Sequence, residues 1–125
     1  MIAGVGIDLV EVARMEKILH RWQERFLQKV FTGEEKAYCC RKAAPALHFA
    51  ARFAAKEAAL KALGIGLGMG LALKDIGTVR GVKGGPSLSF AEPGRSMLAE
   101  AGICRTHLSL THTKNYAVAM VVMEK

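Results

Sequence analysis

Residues 45–64, PALHFAARFAAKEAALKALG, constrain the chain more than any other stretch. Alanine, the best helix former, is its commonest residue, at eight of twenty positions. Pro45 suits a first helical turn, where its missing N–H costs nothing. Gly64 suits the left-handed position just past a helix end. The pattern predicts one helix. A rod that is small and aliphatic on every side is usually a buried rod. Yet this one carries Arg52, Lys56, Glu57 and Lys61, and buried charges persist only when paired or bound to something. Glu57 and Lys61 lie four apart and share a face with Phe53. Arg52 and Lys56 share another face, with His48 one turn earlier. The helix therefore offers an acid–base stripe and a basic stripe. Salt-bridge decoration of a solvated helix is the plainer meaning of the same spacing.

The 125 residues fit one domain, 1–125. At 51% hydrophobic and 6% aromatic, its core is aliphatic and alanine-rich. So much apolar content in a small domain points to an oligomer interface. Met1–Val12 contains Asp8 and Glu11 and lacks a positive leader, so no secretory signal is expected. No run of about 18 apolar residues exists, so no membrane span is expected. Cys39, Cys40 and Cys104 are odd in number and lack metal-ligand spacing, which fits reduced thiols in a cytoplasmic protein. The net charge of +7 points to an anionic partner: nucleic acid, an acidic protein or a polyphosphate.

Ile2–Val10 reads as a strand, apolar and interrupted by Asp8. A carboxylate there needs a partner; capping the next helix is one option, and a metal or phosphate-linked site is the other. Val10–His20 reads as a helix, continuing in broken form to Val30. Arg14, Lys17, Arg21 and Arg25 recur along one side of it, either as a solvated face or as a docking surface for acidic or phosphate groups. Thr32 and Glu35 make a capping box for a short helix ending near Lys42. After the central helix, Gly64, Gly66, Gly68 and Gly70 alternate with apolar residues, a flexible segment without Walker or Rossmann spacing. Strands are expected at Asp75–Arg80 and Ser87–Phe90, a helix at Pro93–Ala101, and strands at Ile103–Thr111 and Tyr116–Met123. The last strand is continuously apolar, as a strand buried on both faces would be. The expected fold is α+β, of order β-α-α-α-β-β-α-β-β, a mainly antiparallel sheet packed on the long central helix.

Asp8 and Glu57 are the two acids that the sequence embeds in apolar, small-residue surroundings. Two converging carboxylates can hold Mg²⁺, which prefers a few carboxylates, waters and substrate phosphates. Lys61 could neutralise a phosphate there, and Arg52, Lys56 and His112 could hold further phosphate charge. His112 at a strand end has a purely structural reading as well.

Three stretches together resemble the holo-acyl-carrier-protein synthase family, the small bacterial 4′-phosphopantetheinyl transferases. They are GVGIDLVEVARM (Gly4–Met15), RFAAKEAALKALGIG (Arg52–Gly66) and LSLTHTKNYAVAMVV (Leu108–Val122). In the third, Thr111 stands where the family commonly has serine. The resemblance spans essentially the whole chain, and it implies a reaction, a site and a set of partners. The 4′-phosphopantetheine group of coenzyme A would pass to a serine of an acyl carrier protein. Asp8 and Glu57 would bind Mg²⁺, with Asp8, Glu57 and Lys61 catalytic. Arg52, Lys61, Gly64, Pro86, His112 and Thr113 would lie near coenzyme A. Arg14, with Arg21 and Arg25 by helical spacing, would meet the acidic carrier protein. A homotrimer would place the sites between subunits, with Asp8 and the central helix coming from different chains. Two rivals remain at this level: an Mg²⁺-dependent phosphodiesterase acting on nucleic acid, and a non-enzymatic oligomeric binding module. The scarcity of aromatics for base stacking weighs against nucleic acid.

Overall fold

A computed structural model describes residues 1–66 and 69–125. The elements are β1 (Ile2–Glu11), α1 (Val12–Val30), α2 (Gly33–Cys40), α3 (Pro45–Leu63), β2 (Ile76–Arg80), β3 (Pro86–Phe90), α4 (Gly94–Glu100), β4 (Arg105–His112) and β5 (Tyr116–Glu124). Their order is the expected one. A 3-10 turn, Leu73–Asp75, precedes β2. β5 lies between β1 and β4 in an antiparallel sheet, and β2–β3 form a separate hairpin.

α3 is the axis of the fold. Pro45 opens it, and Gly64 closes it at φ 75. Ten of its residues are buried, seven of them alanine. β1 packs directly on it, and Gly4 and Gly6 explain how. A Cβ at Gly6 would sit 1.8 Å from the Ala58 carbonyl oxygen, and one at Gly4 would sit 1.9 Å from that of Ala62. The strand backbone therefore rests on the helix backbone, with alanine on one side and no side chain on the other. Even-numbered β1 residues face α3, so Asp8 is the next position along that inner face.

α1 bends at Gln23, whose φ of 45 interrupts the helical path. The Thr32–Glu35 capping box forms as the sequence predicts. The glycine-rich segment expected at 64–70 includes Gly68, which lies outside the described residues. Two expectations need correction. Asp8 does not cap α1, because that helix starts after Glu11 without a side-chain cap; Asp8 pairs with Lys61 instead. β5 is buried on one face only, by Ala117, Ala119, Val121 and Met123. Its other face continues the outer surface of β1, where Val5, Ile7 and Leu9 are exposed along with Tyr116 and Met120 of β5. Continuous apolarity in β5 thus reflects one packed face and one apolar but uncovered face. Cys39, Cys40 and Cys104 are free thiols.

Candidate active site

Asp8 and Glu57, 49 positions apart in sequence, line one cavity of about 330 Å³. Its walls also include Val10, Arg14, Met15, Ile18 and Phe53. Lys61 Nζ donates to Asp8 Oδ1 at 3.1 Å and to the Ile7 carbonyl at 2.9 Å. Burial pushes the Glu57 carboxyl above its ordinary value and the Asp8 charge adds to this, while Lys61 opposes both. Two acids thus compete for negative charge beside a lysine that offsets part of it. A divalent cation relieves such a conflict. Three carboxylates line the cavity, Asp8, Glu57 and Glu11, of which Asp8 and Glu57 are the pair in electrostatic conflict; among the described residues no group of three or more His, Cys, Asp or Glu is placed to hold a metal together. Two oxygen donors fit Mg²⁺, which is held through one or two carboxylates and completes its shell with water and substrate phosphate.

A second cavity, of about 670 Å³, opens on another side of α3. Arg52 lies five residues before Glu57, roughly 140° around the helix, and the two cavities share no lining residue. Arg41, Lys42, Arg52 and Arg80 give this cavity fixed positive charge, His48 and His112 are on its wall, and Glu34 is its one acid. The Arg52 guanidinium rests 4.1 Å from the Tyr38 ring centroid. Pro86 and the Gly84–Gly85 turn form a rim. Arg52 Nε and Thr78 Oγ1 are buried and have no hydrogen-bond partner among the described residues, and both residues line this cavity. A wall with unspent donors and surplus positive charge is suited to a polar, anionic occupant.

Residues 4–121 match the family model of the 4′-phosphopantetheinyl transferase superfamily. The chain belongs to that superfamily. It is 48% identical to a holo-[acyl-carrier-protein] synthase of Syntrophus aciditrophicus over 99% of this chain and 97% of that protein. The crystal structure of the Neisseria meningitidis holo-[acyl-carrier-protein] synthase superposes with a TM-score of 0.92 at 32% identity, covering all of both chains. The Helicobacter pylori synthase, solved in complex with coenzyme A, superposes with a TM-score of 0.84 at 31% identity, over 96% of this chain and 99% of that one. The resemblance read from three sequence motifs and the α+β fold expected from it are borne out.

In this phosphopantetheinyl transferase, the structure sorts the expected site residues into three groups. Asp8, Glu57 and Lys61 come together, with Arg14 on the same cavity wall. Arg52, Pro86 and His112 come together in the cationic cavity. Gly64 and Thr113 line neither. Gly64 closes α3, and Thr113 Oγ1 accepts from the backbone N–H groups of Asn115 and Tyr116, shaping the β4–β5 turn. The bend at Gln23 breaks the helical phase between Arg21 and Arg25, so spacing links Arg14 to Arg21 only.

Two expectations fall here. Asp8 and Glu57 meet within one chain rather than across two. Lys56 offers nothing to a phosphate. It is fully buried, and it donates to Glu35 Oε1 at 2.6 Å and to the carbonyls of Leu73 (3.1 Å) and Ile76. Glu35 is thus a third embedded acid that sequence reasoning misses. Its place in the capping box already accounts for it, so nothing points to a second, long-range partner. Tyr38 and Thr78 are missed as well. They reach the cationic cavity from α2 and β2, and no local pattern marks them.

Proposed function

We propose that this chain transfers the 4′-phosphopantetheine group of coenzyme A to a serine of an apo-acyl carrier protein, releasing adenosine 3′,5′-bisphosphate. The observation that supports this most is the meeting of Asp8 and Glu57 at one cavity, with Lys61 bonded to Asp8. Mg²⁺ held by Asp8 and Glu57 would neutralise charge on the pyrophosphate of coenzyme A. Glu57, placed at the same cavity as Asp8, takes the proton from the carrier serine. The serine oxygen forms the new bond to the β-phosphorus, and the bond from that phosphorus to the bridging oxygen breaks. Lys61 offsets the negative charge that develops on the leaving oxygen. The cationic cavity receives the 3′-phosphate and adenosine end.

The two cavities open on different sides of α3. A homotrimer joins them, the acidic cavity of one copy facing the cationic cavity of its neighbour. Support for assembly lies in the outer face of β1 and β5, where Val5, Ile7 and Leu9 are each more than half exposed. The first turns of α1 meet the carrier protein: Arg14 lies on the wall of the acidic cavity, and Arg21 stacks 5.1 Å from the Trp22 ring centroid. Opposite charge on the carrier speeds encounter more than it tightens the complex. Among the described residues no helix is long and apolar enough to cross a membrane, and with its free thiols this supports action in the cytoplasm.

The test is incubation with coenzyme A, Mg²⁺ and an apo-acyl carrier protein, followed by intact-mass spectrometry. The carrier should gain one phosphopantetheine, and Glu57→Gln should abolish the gain while circular dichroism stays unchanged. Normal turnover by Glu57→Gln would remove Glu57 from the chemistry. A carrier that never gains mass with the unaltered enzyme would overturn the function.

A further inference from the structure

His48 is the one ionisable group of the cationic cavity whose charge is free to change near neutral pH and which the family resemblance leaves without a role. It sits one turn before Arg52 on α3 and is half-buried. Its ring stands edge-on to Tyr38, with centroids 5.8 Å apart, and to His112 at 6.2 Å. Every element around the cavity except β3 and the glycine turn before it presents charge or a titratable group. α2 brings Glu34 and Tyr38; Arg41 and Lys42 follow in the turn before α3; α3 brings Arg52, β2 brings Arg80, and β4 brings His112. Positive charge dominates. Burial first, then Arg52, Lys42 and His112, hold the imidazole below its ordinary value of 6.5. The protein on its own therefore favours the neutral imidazole.

An incoming phosphate monoester reverses the local balance, because it brings about −1.5 to −2 charge at pH 7. The imidazolium then has two N–H donors, and a charge-assisted bond to phosphate is stronger than a neutral one. The unspent groups of Arg52 and Thr78 show independently that the protein leaves this wall unsatisfied. We propose that His48 takes up a proton from solvent as the 3′-phosphate of coenzyme A enters this cavity, and that it then serves as one of the phosphate's ligands. This rests on the reading of the cavity as the coenzyme A site.

The sign is set by linkage. Binding raises the proton affinity of His48, so the bound state carries more protons than the free one. The contribution of His48 to affinity is complete below the free-state value, which lies under 6.5. It fades as pH rises towards the bound-state value, by at most about tenfold per pH unit. The second ionisation of the phosphate, near pH 6, works in the opposite direction. The contribution of His48 is therefore read as a difference between proteins rather than from one pH profile.

The experiment is calorimetric titration of the full-length enzyme with coenzyme A at pH 7, in buffers of different ionisation enthalpy. His48→Phe and His48→Asn are run beside the wild type, each checked for an unchanged melting profile. The wild type should take up a larger fraction of a proton than either variant. The variants should bind coenzyme A several-fold more weakly at pH 6 and nearly as well at pH 8. With dephospho-coenzyme A, which lacks the 3′-phosphate, wild type and variants should exchange the same number of protons. Equal proton exchange in wild type and both variants with coenzyme A would overturn the proposal while leaving the coenzyme A site intact. A His48-dependent uptake that persists with dephospho-coenzyme A would overturn the assignment to the 3′-phosphate. Failure of the wild type to bind coenzyme A at all would overturn the functional reading and this proposal together.

Discussion

Lys56 and Lys61 stand five residues apart on α3, each paired with a carboxylate from another element, and they do opposite work. Lys56 and Glu35 have side chains at 0% exposure. Lys56 donates to Glu35 and to two backbone carbonyls. Glu35 in turn accepts from Thr32 N, Lys56 Nζ and Thr78 N. Lys61 is 54% exposed and Asp8 19%, at a longer distance of 3.1 Å. The sealed pair ties α2, α3, the 3-10 turn and β2 into one block, and it has no solvent into which to release either partner. The open pair can exchange partners: a cation can replace the ammonium on Asp8, and Lys61 can turn to a phosphate. The same two residue types thus make a sealed brace in one place and a solvent-open pair in the other. Burial and the number of fixed hydrogen bonds separate them.

The contrast is easiest to break at the sealed pair. Lys56→Ala strands a buried carboxylate and should lower unfolding stability by about 3–5 kcal/mol in urea titrations. Replacing both partners together, Lys56→Met with Glu35→Leu, removes the stranded charge but takes partners from Thr32 N, Thr78 N and the Leu73 and Ile76 carbonyls, so it should recover only part of that loss. An unchanged midpoint for Lys56→Ala would erase the distinction. Lys61→Ala should act the other way round. Stability should move by less than about 1 kcal/mol, since the pair is partly solvated, while the transfer rate should fall by about 10²-fold, the scale for losing one charge-stabilising donor. A rate that tracks stability in both variants would make Lys61 a second brace. The smallest effect is expected beside the open pair: Arg14→Glu with Arg21→Glu should raise the KM for the carrier protein a few-fold, and less so as salt is added. An unchanged KM would place carrier docking elsewhere.

Much of the fold is legible in the chain because its signals are local. The capping box at Thr32 and Glu35, the proline and glycine at the ends of α3, and the alanine density between them each act over a few residues. Asp8 and Glu57 are legible for a related reason: each is a charge where its neighbours are small and apolar. The meeting of the two in one chain is not legible, because it depends on β1 running along α3 in register with Ala58 and Ala62. Lys56 misleads because helical spacing places it beside Arg52, while its surroundings come from α2 and the approach to β2. Thr78 illustrates the same limit, since nothing around a threonine in a short strand announces a long-range cavity.

The bare backbone at Gly4 and Gly6 has a consequence for chemistry as well as for packing. An ordinary carbon–oxygen contact is about 3.3 Å or more, so one methyl group at Gly6, 1.8 Å from the Ala58 oxygen, would drive the strand outward by on the order of 1 Å. Reactive groups tolerate only about 0.5 Å of misplacement, and Asp8 rides on that strand two residues further on. The gap between the acids is gauged by two missing side chains, and the precision of the enzyme resides in atoms that the chain leaves out.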